Sequence, residues 1–258
     1  MLTIFTIVLN GKRFLNEQLE IFQQLDIPWR WHIVEGVSRP IECTSWCAEV
    51  QDRWHKDWLS IDGTTELLNE IKDPRVRITR RLGPWAGKIA MVDAAMEGVT
   101  DGVVMQIDAD EFWTPGQIKT IYDLLKDRSP GDFAQFECFY FVDPRRVVTS
   151  RRGFGYMPYE WFRAWKMAPG LKFNSHEPPV LNAWATYIPR ETTRSMGLIF
   201  DHYAYVFKEQ VEFKEQFYQY DGLVAGWERL QETKGEVRLC DYFNFLKDQP
   251  WVTAGNIC

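Results

Sequence analysis

The sequence predicts an α/β fold: a mixed, mainly parallel central sheet flanked by helices, with a helical extension at the C-terminus. Two observations support this fold class. Four short apolar segments in the first half have the length and composition of buried strands. The stretches between them are helical or loop-like, and this alternation of strand and helix is typical of a parallel sheet covered on its faces.

The predicted elements follow from the spacing of apolar residues. The strands lie at 2–9, 31–35, 75–79 and 103–107. Apolar residues at helical spacing predict helices over 14–25, 65–71 and 88–98. The second half is expected to contain a helix over 116–126, a segment over 133–142, a strand over 196–200 and two helices between 206 and about 246.

The amino-acid composition limits the kinds of partner and the cellular location that we expect. The 258 residues carry a formal net charge of −6, which argues against a nucleic-acid partner because no basic field covers the domain. Twelve tryptophans offer flat faces on which bases and sugar rings stack. No apolar run reaches the roughly 20 residues of a membrane span. Residues 1–10 predict a strand and not a signal peptide, so we expect a cytoplasmic protein.

The most informative segment is an acidic cluster after the fourth strand. Residues 103–107 are apolar, and Asp108, Asp110 and Glu111 follow directly. Crowded carboxylates raise each other's pKa, and a divalent cation with hard oxygen ligands relieves that repulsion. The alternative is an acidic turn that merely caps the next helix, which begins at Thr114-Pro115.

Three strand ends are expected to meet at one crevice. Asn10, Glu35 and the Asp108 cluster each follow a predicted strand. Ligands of open α/β sheets bind beyond the carboxyl ends of the strands. The sequence therefore predicts one binding site formed by these three turns.

In order along the chain, these features resemble the family-2-like glycosyltransferases, which use nucleotide sugars and have the GT-A (Rossmann-like) fold. The resemblance covers most of residues 1–205. Asp108-Ala109-Asp110 is similar to the family's metal-binding DxD motif, and a helix led by Lys88 precedes its strand. The later matching segments are Phe173-Asn174-Ser175-His176-Glu177 and Asp201-His202-Tyr203.

The resemblance implies a metal-dependent transfer of sugar from a nucleoside-diphosphate sugar to the hydroxyl of a carbohydrate-like acceptor. Mn²⁺ or Mg²⁺ is the implied cofactor, with Asp108, Asp110 and His202 as its ligands and Glu111 behind them. The donor contacts expected from the resemblance are Asn10, Glu35, Asp62, Lys88 and Asp108.

The general base remains open between Glu177 and Asp201 at this stage. We expect a single domain over 1–258, with residues 1–113 binding the donor, 114–205 forming the acceptor side and 206–258 forming C-terminal helices. Arg145, Arg146, Arg151 and Arg152 predict a solvated loop or a lid over the diphosphate. Tyr159, Trp161, Phe162 and Trp165 are mostly expected in the core, with one tryptophan available to stack on an acceptor sugar.

Two other functions share some of these features. A sugar-phosphate nucleotidyltransferase also places carboxylates on Mg²⁺, but it usually has an N-terminal loop rich in Gly and basic residues, of which Asn10-Gly11-Lys12-Arg13 is a faint version. A non-catalytic carbohydrate-binding protein would explain the tryptophans but not the crowded carboxylates.

Overall fold

A seven-stranded sheet forms the centre of the protein. The computed structural model describes residues 1–41, 46–149, 161–243 and 251–252. Its strands are β1 (Leu2–Val8), β2 (Trp29–Glu35), β3 (Val76–Thr79), β4 (Gly102–Gln106), β6 (Phe133–Gln135), β9 (Phe162–Met167) and β12 (Tyr187–Ile188). Their order in the sheet is β12-β6-β9-β4-β1-β2-β3.

Parallel pairing dominates this sheet, as the sequence predicts. Strand β1 pairs in parallel with both β2 and β4, and β2 pairs in parallel with β3. Strand β9 lies antiparallel between β4 and β6, which makes the sheet mixed. Residues Leu2, Ile4, Trp31, Val103 and Met105 are fully buried in its core. The carboxyl ends of β1 and β4 therefore emerge side by side.

Seven α-helices accompany the strands in the described part of the chain. They are α1 (Lys12–Gln23), α2 (Thr64–Glu70), α3 (Lys88–Met96), α4 (Pro115–Leu125), α5 (Arg190–Ser195), α6 (Lys208–Tyr218) and α7 (Leu223–Glu232). Helix α4 begins with a capping box in which the Thr114 hydroxyl accepts a hydrogen bond from the Gln117 amide. Since Thr114 caps this helix, the carboxylates of residues 108–111 are not needed for that purpose.

A second sheet lies beside the acidic cluster. Its strands are β5 (Glu111–Phe112), β7 (Glu137–Phe141), β8 (Val147–Thr149) and β13 (Ile199–His202). Their order in the sheet is β5-β13-β7-β8. In the antiparallel pair of β13 and β5, His202 lies opposite Glu111. The backbone amide of Tyr203 donates to the carbonyl of Asp110 at 2.8 Å. This pairing brings His202 to the acidic cluster.

Two small two-stranded sheets complete the described strands. One joins β10 (Phe173–His176) to β11 (Pro179–Leu181), and the other joins β14 (Val237–Arg238) to β15 (Trp251–Val252). Helix α3 packs against β1, β2 and β10. This contact places the start of α3 beside the residues that follow β10.

The structure corrects several predicted boundaries. The strand expected over 196–200 begins only at Ile199, because residues 190–195 form helix α5. The segment 133–142 is two strands separated at Phe136. The second predicted C-terminal helix is shorter than expected: α7 ends at Glu232, and the described residues up to 243 form β14 and a short 3-10 helix, Leu239–Asp241. None of the described helices has both the length and the apolar character needed to cross a membrane.

Candidate active site

A cavity of about 1240 Å³ opens beyond the carboxyl ends of β1 and β4. Its wall includes residues from the start of the chain, from the acidic cluster, and from the segments after β10 and β13. Helix α6 contributes a further part of the wall. The predicted site residues that line it are Asn10, Asp62, Lys88, Asp108, Asp110, Glu177 and His202.

Arg163 neutralises one side of the acidic cluster. Its guanidinium donates to both carboxylate oxygens of Glu111 at 2.7–3.0 Å and to Asp108 Oδ2 at 3.3 Å. Burial raises the pKa of Glu111, and Arg163 only partly offsets that effect. Asp108 Oδ1 also accepts from the Gln106 side chain at 3.0 Å. Glu111 is thus buried and is linked to Asp108 through Arg163.

Asp110 lies close to two basic side chains in the cavity wall. Its Oδ1 lies 3.5 Å from His202 Nε2, and its Oδ2 lies 3.7 Å from Lys214 Nζ. Burial alone would raise the pKa of Asp110, but His202 and then Lys214 outweigh it, so the pKa lies well below its usual range. Asp110 is therefore a carboxylate at neutral pH.

The arrangement fits a metal ion that shares its ligands with a substrate. No group of three or more His, Cys, Asp or Glu side chains in the described ranges is arranged to hold a metal by itself. Mg²⁺, however, is usually bound by one or two carboxylates together with substrate phosphates. Asp110 would supply the carboxylate of that pattern, and His202 Nε2, which lies 3.5 Å from Asp110 Oδ1, is near enough for one ion to contact both side chains. The charge repulsion that led to the metal prediction is partly relieved by Arg163 and Lys214.

Glu177 carries a second ionic contact of the cavity. It forms an ion pair with Lys88, the first residue of α3, and its Oε1 also accepts a long hydrogen bond from the Tyr218 hydroxyl at 3.5 Å. Burial favours the neutral acid, but Lys88 and then His176 outweigh burial and lower the pKa of Glu177. Burial, followed by Lys88, lowers the pKa of His176 to about 4, so this imidazole is neutral at pH 7.

Asn10 and Asp62 hold the loop that follows β1. The Asn10 side chain donates to the carbonyl of Trp54 at 2.7 Å and accepts from the amide of Ile61 at 2.8 Å. Asp62 accepts from the amides of Lys12 and Thr64. These bonds fix the part of the wall where the resemblance expects the nucleoside.

Two predicted residues do not line the cavity. Glu35 is fully buried, and its carboxylate binds Arg80, the Thr65 hydroxyl and the amide of Ser60. Glu35 therefore holds residues 60–65 in place, and its side chain does not reach the cavity where a nucleoside would bind. Asp201 precedes His202 in β13, and neighbouring side chains of a strand point to opposite faces. Because His202 faces the cavity, Asp201 faces away from it, and burial raises the pKa of Asp201.

The predicted aromatic and basic residues lie in different environments in the structure. Trp165 is fully buried in the core, whereas Trp161 lines the cavity with its ring centroid 5.1 Å from that of His202. Arg146 is no lid: it is buried, pairs with Asp143 and donates to the carbonyl of Leu230 in α7. The expectations for Arg151, Arg152 and Tyr159 lie outside the described residues.

Sequence reasoning missed Lys214 and Arg163. Lys214 lies on the face of α6 that buries Val211 and Phe217, and a lysine among apolar residues at helical spacing is a recognisable signal. Arg163 gives no such signal, because its contact with Glu111 depends on the antiparallel pairing of β9 with β4.

Residues 59–205, more than half of the chain, match the model of glycosyl transferase family 2. The chain belongs to that family. The membership predicted from the sequence is thereby confirmed, and the mixed, mainly parallel sheet agrees with the expected GT-A fold. A search of curated proteins found no match.

Solved structures that resemble this family 2 chain are distant. Staphylococcus aureus TarS 1–349 with UDP-GlcNAc is 11% identical, with a TM-score of 0.38, over 53% of this chain and 34% of that one. Pyrobaculum calidifontis mannosyltransferase PcManGT with GDP-Man and Mn²⁺ is 18% identical, with the same TM-score, over 52% and 34%. A mycobacterial protein is 11% identical, with a TM-score of 0.39, over 100% and 84%. The match thus spans about a third of the first two structures.

Proposed function

We propose that this protein transfers a sugar from a nucleoside-diphosphate sugar to an acceptor hydroxyl, with the help of Mn²⁺ or Mg²⁺. The observation that carries the proposal is the position of Asp110, His202 and Glu177 around one cavity at the carboxyl ends of β1 and β4. Family membership supports the reaction class. The proposal assigns the donor to the loop fixed by Asn10 and Asp62 and to the acidic cluster.

The reaction needs charge compensation at the leaving group. The acceptor oxygen forms a bond to the anomeric carbon as the bond from that carbon to the diphosphate breaks, and the electron pair leaves with the diphosphate. Asp110 and His202 would hold the metal, which when bound supplies positive charge to the departing diphosphate. Asp108, fixed by Gln106 and Arg163, is assigned to the donor sugar or ribose.

Glu177 is proposed as the general base. Within the described part of the chain, its contacts with Lys88, His176 and Tyr218 all involve Oε1. This leaves Oε2 to accept the proton of the acceptor hydroxyl. The ion pair with Lys88 keeps the carboxylate ionised, which a base requires. Asp201 is not proposed, because it does not line the cavity.

The acceptor is proposed to enter past the aromatic wall. Trp54, Phe213 and Tyr218 line the cavity, and Trp54 packs edge-on against Phe213 with ring centroids 5.5 Å apart. Such rings suit the apolar face of a sugar. These rings come from residue 54 and from α6, so we propose an acceptor side that is not confined to residues 114–205.

Ligand-dependent melting tests the donor and metal assignments together. UDP or GDP should raise the melting temperature more with Mn²⁺ than with EDTA, because a ligand that binds only the folded state stabilises it. Asp110→Asn should remove the difference between Mn²⁺ and EDTA and leave the fold intact. Equal stabilisation with and without metal in the wild-type protein would overturn the metal assignment. No stabilisation by any nucleotide would overturn the donor assignment.

A further inference from the structure

Lys214 is a partly buried cation in the wall of the proposed donor site. It lies on α6, beyond the residues that match the family model, so the match assigns it no role. Its side chain is 18% exposed and lines the same cavity as Asp108 and Asp110. An ammonium in such a place is costly unless its charge is compensated. A methionine would fill the space without that cost.

The contacts of Lys214 leave binding capacity toward the cavity. An ammonium has three N–H donors. In the described ranges Lys214 makes one hydrogen bond, to the carbonyl of Ala204 at 2.7 Å. Its distance of 3.7 Å to Asp110 Oδ2 is that of an ion pair and is longer than a hydrogen bond. Its Nζ also lies over the ring of Tyr205, 4.7 Å from the ring centroid.

Two other cations of the cavity wall, Arg163 and Lys88, are more fully engaged. Arg163 binds Glu111 through two nitrogens and also reaches Asp108. Lys88 is paired with Glu177. Lys214, by contrast, holds Asp110 only at ion-pair distance and still has donors for an anion. A diphosphate carries more negative charge than one carboxylate and presents several acceptor oxygens.

We propose that Lys214 is a fixed cation of the donor site that binds the diphosphate directly, beside the ion held by Asp110 and His202. The inference rests on the proposed function, since the diphosphate is that of the donor. It predicts that Lys214 has opposite effects on the binding free energies of the nucleotide and of Mn²⁺. Lys214 should favour the nucleotide through charge-assisted hydrogen bonds. It should also disfavour Mn²⁺ in the absence of nucleotide, because like charges repel beside Asp110.

Lys214→Met tests both predicted effects. UDP and GDP binding is measured by calorimetry in EDTA, and Mn²⁺ binding without nucleotide is measured by electron paramagnetic resonance. Nucleotide affinity in EDTA should fall roughly 10- to 100-fold, the range for hydrogen bonds to charged groups. Mn²⁺ affinity should rise in the same variant. A lysine with only a structural role would lower both affinities or change neither.

Matched variants control for charge and for folding. Lys208→Met removes a half-exposed lysine of the same helix, which pairs with Glu228, and should change neither affinity. Lys214→Arg keeps the charge and should retain most of the nucleotide affinity. If Lys214→Met does not fold, Lys214→Gln serves instead, because it can still donate to the Ala204 carbonyl.

The outcomes separate this inference from the proposed function. If wild-type protein binds UDP or GDP but Lys214→Met or Lys214→Gln binds it equally well in EDTA, the role of Lys214 is refuted and the donor site stands. If wild-type protein binds neither nucleotide, with or without Mn²⁺, the proposed function itself fails. A fall in nucleotide affinity together with a rise in Mn²⁺ affinity supports the inference.

Discussion

Lys88 and Glu177, which are 89 residues apart in the sequence, form an ion pair in the wall of the cavity. Lys88 is the first residue of α3, and Glu177 directly follows β10. The sequence suggests each residue separately, as a donor contact and as a base. Their pairing assigns Lys88 a different task, which is to hold the carboxylate of Glu177 in its charged form.

Glu177→Gln should separate catalysis from binding. Glutamine keeps the size of the side chain but accepts no proton, so turnover should fall by roughly 10²–10⁴. The affinity for UDP or GDP, measured by calorimetry, should change little. Asp201→Asn is the control, because Asp201 lies outside the cavity wall. Full activity in Glu177→Gln together with a collapse in Asp201→Asn would transfer the base role to Asp201.

Lys88→Met should change the pH dependence of the reaction. Lys88 lowers the pKa of Glu177, so the acid limb of kcat/KM in the wild-type protein should lie below the ordinary glutamate range. Without the ammonium, burial dominates and raises the pKa, so the limb should move to higher pH. Lys88→Arg keeps the charge and should keep the wild-type profile. Circular dichroism at each pH separates loss of activity from unfolding, and an unmoved limb in a folded Lys88→Met protein would exclude this role.

Gly11→Ala should disturb the acidic cluster through a steric contact with its turn. A Cβ at Gly11 would lie 2.5 Å from Val8 Cγ2 and 3.1 Å from Ala109 Cβ. Relief of this contact pushes on the turn that carries Asp108 and Asp110, so nucleotide affinity and melting temperature should both fall. Gly116→Ala meets nothing within 4 Å and is the matched control. Unchanged nucleotide affinity in Gly11→Ala would show that the turn tolerates the shift.

Trp165→Ala and Trp161→Ala should have different effects. Trp165 is 1% exposed, so its truncation should cost about 3–5 kcal/mol of stability, measured by denaturant unfolding. Trp161 lines the cavity, so its truncation should lower transfer to an acceptor more than hydrolysis of the donor. An equal loss of transfer and hydrolysis would show instead that Trp161 acts by holding His202, whose ring it contacts.

The sequence predicted the central sheet and the acidic cluster because both depend on local signals. Apolar runs define β1 and β4, and Asp108 and Asp110 follow the second of these directly. The sequence suggested Asp201 as a possible base and His202 as a metal ligand, but it did not show which of them faces the cavity. That choice depends on the pairing of β13 with β5 and β7, which is a long-range contact.

The residues that balance the charge of the acidic cluster could not be predicted from local sequence patterns either, because they too make long-range contacts. Three neighbouring carboxylates predicted a metal ion, yet Arg163 from β9 and Lys214 from α6 supply part of the positive charge. Glu35 shows the converse error. Its position after β2 suggested a nucleoside contact, but Arg80 after β3 and Thr65 in α2 bind its carboxylate. Both corrections come from residues distant in sequence.

Donor turnover tests the central claim most directly. The protein is incubated with Mn²⁺ and with UDP-, GDP-, CMP- and dTDP-sugars in turn, and the released nucleotide is measured without an added acceptor. We predict slow hydrolysis of at least one diphosphate donor, lost in Asp110→Asn and kept in Asp201→Asn. No hydrolysis of any donor, or consumption of a sugar phosphate and a nucleoside triphosphate instead, would contradict the assignment as a sugar transferase.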